Sequence, residues 1–438
     1  MTRNTSLPFR SIFDLNFGFF GVQIAYALQS ANISRIFATL GADPHQLSFF
    51  WILPPLMGMI VQPLVGKYSD RTWCRLGRRK PYLLGGAIVA VLVMMLLPNA
   101  GSINFGARLF LGLNGAMWFG LFSLIFLDTS INVAMQPFKM MVGDMVGDNQ
   151  KAQGYSVQSF LCNAGSLVGY LFPIFFTWIG IANTAPSGVV PKSVIWSFYC
   201  GALILILCVL YTFFNVKEMP PKEYAEFHGI NDNEAGEEEA SLVKLLRKAP
   251  STFWTVSLVQ FFCWAAFLLL WTYTNGAVAD TCWGTSDAAS EGYQAAGNWV
   301  GVLFAVEAVG AMLWALVIPR FKTLKSAYVV SLLLGAAGFV SVFFIHNQWL
   351  LFGSFLLIGI VWAAMLALPF TLVTNALKDH IGTYLGLFNC AICIPQIVAA
   401  SLGGWILTLV GGSQAAMFIV AAVLLVCGAL SVFVIKEK

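Results

Sequence analysis

The sequence predicts an all-α membrane protein of twelve transmembrane helices in two six-helix bundles. Three observations carry that prediction. The chain has too few charges to clothe itself in water-facing surface. Its apolar residues gather into stretches long enough to cross a bilayer. One long polar segment divides those stretches into six and six.

Of 438 residues, 58% are hydrophobic and 10% are charged, whereas a soluble domain carries about a quarter charged residues. Lipid must then be the solvent for much of the surface. Aromatic residues make up 14%, with 37 Phe and 14 Trp, which suits lipid-facing helices and interfacial belts. A net charge of +4 is too small to point to nucleic acid. Cys162, Cys200, Cys208, Cys263, Cys390, Cys393 and Cys427 lie inside apolar runs. The Cys390-x-x-Cys393 pair has no His or further Cys pair beside it, so it reads as packing rather than as a metal or redox motif. His45, His228, His346 and His380 fall in loops or at helix ends and form no metal constellation. No cofactor is expected.

A spanning helix needs about 20 mainly apolar residues. Candidates run over about 15–39, 47–66, 81–99, 112–141, 153–179 and 193–215, then 252–276, 297–318, 326–345, 349–376, 382–409 and 413–435. Arg3 and Arg10 precede the first, but no small-residue cleavage site follows an apolar core of ordinary length. That stretch therefore reads as a span and not as a leader. The domains expected are 1–216, a linker at 217–250, and 251–438. The linker holds Pro220-Pro221, the acidic run Glu237-Glu238-Glu239 and the basic Lys244, Arg247 and Lys248, with a short amphipathic helix expected at Ala240–Lys248.

Lys and Arg placement sets the orientation. Lys67, Arg71, Arg75, Arg78, Arg79 and Lys80 lie between spans 2 and 3, Lys151 between spans 4 and 5, and Arg320, Lys322 and Lys325 between spans 8 and 9. Lys378 follows span 10, and Lys436 and Lys438 end the chain. The opposite loops hold only Arg108 and Lys192. Both termini are then cytoplasmic, in a multi-pass protein of the cell (inner) membrane that is read as a monomer.

Two equal halves joined by a cytoplasmic linker resemble the two bundles of a major-facilitator carrier, although no strong residue-level repeat relates them. Gly66-Lys67 lacks the upstream glycines of a nucleotide-binding loop, so uphill transport would draw on an ion gradient. The segment from Gly66 through Asp70, Arg71, Arg75, Gly77, Arg78 and Arg79 to Pro81 resembles that superfamily's signature loop, in the extended form of plant sucrose–proton symporters and their animal relatives. The stretches Gly21–Gln29, Gln62–Asp70 and Asn389–Gln396 resemble the same group, whose bacterial members include maltose and maltooligosaccharide carriers. The resemblance implies a sugar carried with protons. The loop also has a physical reading. Asp70 and its arginines sit at helix ends where charge-assisted pairs can lock an inner gate, with Asp144 a partner for Arg71 or Arg78.

An ionisable residue at mid-membrane is costly and is a functional hypothesis by default. Asp128 lies in the middle of span 4. Helical spacing sets Asp128, Asn132, Met135 and Lys139 on one face, with Asp128 and Lys139 roughly 16 Å apart along the axis. Burial penalises a carboxylate's charged form and a nearby cation offsets the penalty. An acid tuned in this way can load a proton on one side and release it on the other. The stretch containing Asp128, Gln136, Lys139 and Asp144 also resembles the fourth helix of sucrose symporters, where the matching aspartate is the proton site. The arginine that lines their path is Lys139 here, which keeps the charge but not the planar fork. Glu307, the one charge in span 8, could bind substrate hydroxyls, take a second proton or pair across the bundle.

Sugars present apolar faces and a polar rim, so their sites combine aromatic platforms with amides and hydroxyls. Span 7 carries Gln260, Trp264, Trp271 and Thr274 on one stripe, flanked by Tyr273 and Asn275. Span 1 groups Gln23, Tyr26 and Ser30, with Gln29 and Asn32 facing elsewhere, and span 11 groups Asn389 and Gln396. Singly, each polar residue is more often a helix–helix contact. Gathered in spans 1, 4, 7 and 11, they point to a sugar cavity. Plant symporters have an acidic stretch where this chain has Leu270–Asn275, which moves the expected sugar from sucrose towards maltose. The other readings are a sodium-coupled or uncoupled carrier and, from a different class, a membrane enzyme or receptor, for which no catalytic constellation appears.

Overall fold

The computed structural model describes residues 6–103, 109–147, 150–228, 246–377, 384 and 387–435. Among them no strand forms, only isolated bridges joining Cys74 to Gly77 and Phe110 to Leu113. Span 1 is Phe9–Thr39, and span 2 is Pro44–Phe50 continued by Leu53–Arg71. Span 3 is Lys80–Leu96, span 4 Gly115–Met145, span 5 Lys151–Trp178 and span 6 Lys192–Asn215. A short linker helix, Pro221–His228, follows. Spans 7 to 12 are Ser251–Trp283, Glu291–Ala315, Leu324–Phe344, Leu351–Ala376, Cys390–Leu409 and Ala416–Val432. Among the described residues, eleven helices are long and apolar enough to cross a membrane, and Ala416–Val432 is a shorter apolar helix counted with them as span 12.

Local chemistry sets the ends. Pro8 precedes the first turn of span 1, and Asp43 opens span 2 with a reciprocal capping box to Gln46. Asn114 and Ser290 cap spans 4 and 8 through their side chains. Span 7 continues to Trp283, beyond the expected end at 276, and stops where Gly284 turns left-handed at φ 63°. Arg108, Lys378, His380, the first residues expected of span 11, the run Glu237–Glu239, the terminal lysines and most of the segment Ala240–Lys248 lie outside the described residues.

The packing repeats although the residues do not. Span 1 packs on spans 4, 5 and 6, and span 7 packs on spans 10, 11 and 12. Span 3 lies against spans 4 and 6, as span 9 lies against spans 10 and 12. Small residues allow the close seams. A Cβ on Gly165 or Gly169 of span 5 would run into the span 1 backbone at Phe20 and Ile24, and one on Gly359 of span 10 into the Glu307 carbonyl.

The two sets meet where span 5 touches span 8 and span 11 touches span 2. Span 1 starts at the end of the bundle that carries the Lys/Arg-rich loops (the basic end) and finishes at the opposite, far end. The hydrogen bonds seen to cross between the sets lie towards the far end. His45 meets the Gly404 carbonyl at 3.0 Å, and Gln294 Nε2 donates to Thr39 Oγ1 at 3.0 Å. Asn298 Nδ2 donates to Thr177 Oγ1 at 2.7 Å. The molecule is thus fastened at the far end.

Candidate functional site

Asp128 is 2% exposed at the middle of span 4. Gln29 Nε2 of span 1 donates a very short hydrogen bond to its Oδ1. One turn on, Asn132 Nδ2 donates to the Asp128 backbone carbonyl at 2.8 Å and Asn132 Oδ1 accepts from Gln62 Nε2 of span 2 at 2.7 Å. Spans 1, 2 and 4 therefore meet in one polar chain. Asp128 Oδ2, Gln29 Oε1 and Asn32 Oδ1 are buried without a protein partner. Leaving such atoms unpaired costs on the order of 1–3 kcal/mol each, so a site lined by them is suited to a polar guest or a proton.

Sequence spacing set Gln29 apart from Tyr26, yet the two are i and i+3 neighbours on one side of the helix. Tyr26 lies within electrostatic reach of Asp128, of Cys162 in span 5 and of Cys393 in span 11. It is 37% exposed. Because its neighbours come from both sets, that exposure faces the space between them. Lys139 is also exposed and has Cys162 and Cys393 beside it. Tyr26 and Lys139 thus share Cys162 and Cys393 as neighbours.

The second set gathers tryptophans beside span 1 at Ser34. Trp264 and Trp271 of span 7 lie 6.4 Å apart between ring centroids, and Trp362 of span 10 lies 5.8 Å from Trp264 and 5.9 Å from Trp271. Trp51, at the break in span 2, stacks on Trp271 at 6.1 Å and 20°. Trp264 Nε1 is buried without a partner. Spans 1 and 7 both run from the basic end to the far end. Ser34 Oγ, which donates to the Trp271 carbonyl at 3.2 Å, lies five residues beyond Gln29, about 7.5 Å along the axis.

The remaining candidates are scattered. Gln23 is buried at the seam where Gly165 admits span 5, and Asn132 and Gln136 stay on the Asp128 side of span 4. Glu307 is buried within reach of Tyr170 of span 5. Asn275 sits beside Tyr293, nearer the far end. Asn389 begins span 11, and Gln396 is buried two turns on, donating to the Ile392 carbonyl at 2.9 Å. Gln260, from the span 7 stripe, instead braces span 10 through the Met365 carbonyl at 2.8 Å.

Sequence reasoning missed Arg35, although a cation inside the first span is a signal of its own. Arg35 is 0% exposed. Its Nε donates to Gln294 Oε1 at 2.7 Å, its Nη1 to Asn298 Oδ1 at 2.9 Å and its Nη2 to Asn183 Oδ1 at 2.8 Å. Neutral oxygens from both sets thus cage one buried charge at the far end. Trp51 and Trp362 were passed over because lone tryptophans are ordinary in lipid-facing helices.

At the basic end, Asp144 pairs with Arg79 at 2.8 Å, next in sequence to Arg78, one of its two expected partners; the other, Arg71, is exposed like Arg75. The side chain of Asp70 lies outside the described residues. Arg78 is buried, its guanidinium 4.5 Å from the Tyr224 ring centre and 5.4 Å from that of Trp73. Glu218, just past span 6, accepts from the backbone N–H groups of Arg78, Arg79 and Lys80 at 2.6 to 3.0 Å. This carboxylate seals the N-terminus of span 3.

The Major Facilitator Superfamily model matches residues 15–279 and 283–438. The chain is 26% identical to the sucrose transport protein SUT5 of Oryza sativa subsp. indica, over 88% of this chain and 79% of that protein. It is 26% identical to the sucrose transport protein SUC4 of Arabidopsis thaliana, over 92% and 85%. A proton-associated sugar transporter A of Mus musculus is 29% identical over 37% of this chain and 22% of its own length. Among solved structures, a D-xylose-proton symporter aligns with a TM-score of 0.66 at 14% identity, covering 98% of this chain and 97% of its own. The nucleoside transporter NupG aligns at 0.66 and 13% identity, over 98% and 99%. At those identities the likeness speaks to the fold.

Proposed function

This chain belongs to the Major Facilitator Superfamily, a carrier and not an enzyme, and on that premise we propose that it brings a disaccharide or short oligosaccharide into the cytoplasm together with a proton. Maltose-like sugars are the first expectation and sucrose-like sugars the second. One observation carries the reading. A buried carboxylate at mid-span, Asp128, has one oxygen held by Gln29 and the other unpartnered. The sugar and proton in the names of the relatives support it.

The chemistry runs through charge and its neutralisation. An anion at mid-membrane is costly, so an empty, deprotonated Asp128 resists being sealed away from water. A proton removes that penalty, and sugar hydroxyls occupy the free Gln29 and Asn32 oxygens. The loaded carrier can then close around its cargo and reopen on the other side. Two bodies, 1–216 and 251–438 with a linker at 217–250, would rock about the midplane site. The Lys/Arg distribution supports placing both termini and the basic end in the cytoplasm of a cell (inner) membrane. Fastened at the far end, the structure would then be the inward-facing form.

Uptake into vesicles under imposed gradients tests the coupling. A proton gradient should drive maltose above equilibrium in the wild type, and Asp128→Asn should hold accumulation at equilibrium while leaving sugar exchange measurable. Undiminished accumulation by Asp128→Asn removes the proton role. Accumulation driven by sodium instead replaces the coupling ion.

A further inference from the structure

Trp51 belongs to the first set and the tryptophans it completes belong to the second. It is 4% exposed and sits at the break between the two segments of span 2. Its Nε1 donates to Ser34 Oγ at 2.8 Å, and the same hydroxyl donates to the Trp271 carbonyl at 3.2 Å. One serine in span 1 therefore ties the Trp51 indole to the backbone under Trp271. The rings also stack, at 6.1 Å and 20°. Two independent contacts fix Trp271 against Trp51, and both cross the seam between the sets.

Trp271 is half-buried and continues to Trp264 and Trp362. The tryptophans carry no carboxylate, and Trp264 Nε1, on a side chain only 7% exposed, is buried without a partner. Such a surface takes the C–H face of a pyranose ring and gives one hydrogen bond to a hydroxyl or ring oxygen at its edge.

Resting on the sugar-carrier reading above, we propose that Trp51 is a positioning residue for a pyranose stacked on Trp271, acting through Ser34 only while the far end is closed. When the far end opens, span 2 leaves span 7 and the Trp51–Ser34–Trp271 tie breaks. Trp271 then loses its backing ring. A sugar that needs Trp271 in this pose binds the closed form better, and by linkage its binding favours closure. Recognition of the ring and sealing of the far gate become one equilibrium.

The test reads that linkage directly. Ser48 is buried at the far end beneath Gly403, so Ser48→Cys, in a full chain with its native cysteines replaced, reports opening through its rate of reaction with an impermeant maleimide. Saturating maltose should slow labelling about 3- to 10-fold, the scale of one aromatic contact. Trp51→Leu should reduce that protection below about 2-fold at maltose concentrations that still saturate, and so should Trp51→Phe, which keeps a ring but has no N–H to give to Ser34. Because saturation is held constant, a loss of affinity or of general stability does not imitate the result. If Trp51→Leu no longer binds maltose, Ser34→Ala, which cuts the tie and leaves both rings, carries the same expectation. Wild-type protection in Trp51→Leu or in Ser34→Ala overturns the inference, as does wild-type protein that binds maltose without protection. A wild type that binds no sugar fails the sugar reading itself.

Discussion

Arg35 and Asp128 are both buried charges in apolar helices, and the structure treats them in opposite ways. The nitrogens of Arg35 are shared among Gln294, Asn298 and Asn183, whereas Asp128 keeps one oxygen free. The first arrangement holds surfaces together and the second leaves a place for chemistry. Asp128 was legible in the sequence because an acid in an apolar span has few structural excuses. Gln29 was not, because helical spacing gives an angle about the axis and not which neighbour lies there. Lysine cannot reproduce the Arg35 cage, since one ammonium cannot reach oxygens set around a planar fork. Arg35→Lys should lose at least one charge-assisted hydrogen bond, about 1.5–3 kcal/mol. It should therefore raise the labelling rate of the Ser48→Cys reporter at least about tenfold. An unchanged rate would mean that the cage does not hold the far end shut.

Helices were the easiest elements to read, because bilayer thickness makes span length a strong signal. Their ends depended on single residues such as Asp43, Asn114 and Gly284, and there the expected boundaries drifted. The loop between spans 2 and 3 was legible as a cluster of cations at helix ends, but its anchor was not. Glu218 is far from the loop in sequence and stands in a polar stretch where nothing marks one acid from another. Gly77 makes the anchor possible. It holds φ at 116°, and a Cβ there would come within 2.8 Å of the Glu218 carboxyl. Gly77→Ala combines backbone strain of about 1–3 kcal/mol with displacement of that carboxylate from three backbone donors. The variant should unfold at a lower temperature in detergent and lose uptake, and Glu218→Ala should follow it in direction. Equal melting temperatures for Gly77→Ala and the wild type would show that the loop tolerates another path.

Across the whole molecule, the six-and-six arrangement was visible in composition, yet the repeat in packing had no counterpart in residue identity. Packing asks only that small side chains recur at the seams, as Gly165, Gly169, Gly310 and Gly359 do, and many sequences satisfy that. The closed end was likewise invisible. It depends on contacts such as Arg35 with Gln294 and His45 with Thr408, between residues hundreds of positions apart. Those contacts must break if the two sets rock. His45 Nδ1 and Thr408 Oγ1 lie 3.3 Å apart across the seam between spans 2 and 11, so cysteines at the two positions fall within the span of a short bifunctional methanethiosulfonate. Cross-linking that double variant should stop net uptake into vesicles, and reductant should restore it. Sugar binding from the basic end should survive the cross-link, because the Asp128 chain and the tryptophan cluster are already assembled in this conformation. Full uptake by the cross-linked protein would mean that cargo passes without the far end parting, and alternating access by rocking would not describe this carrier.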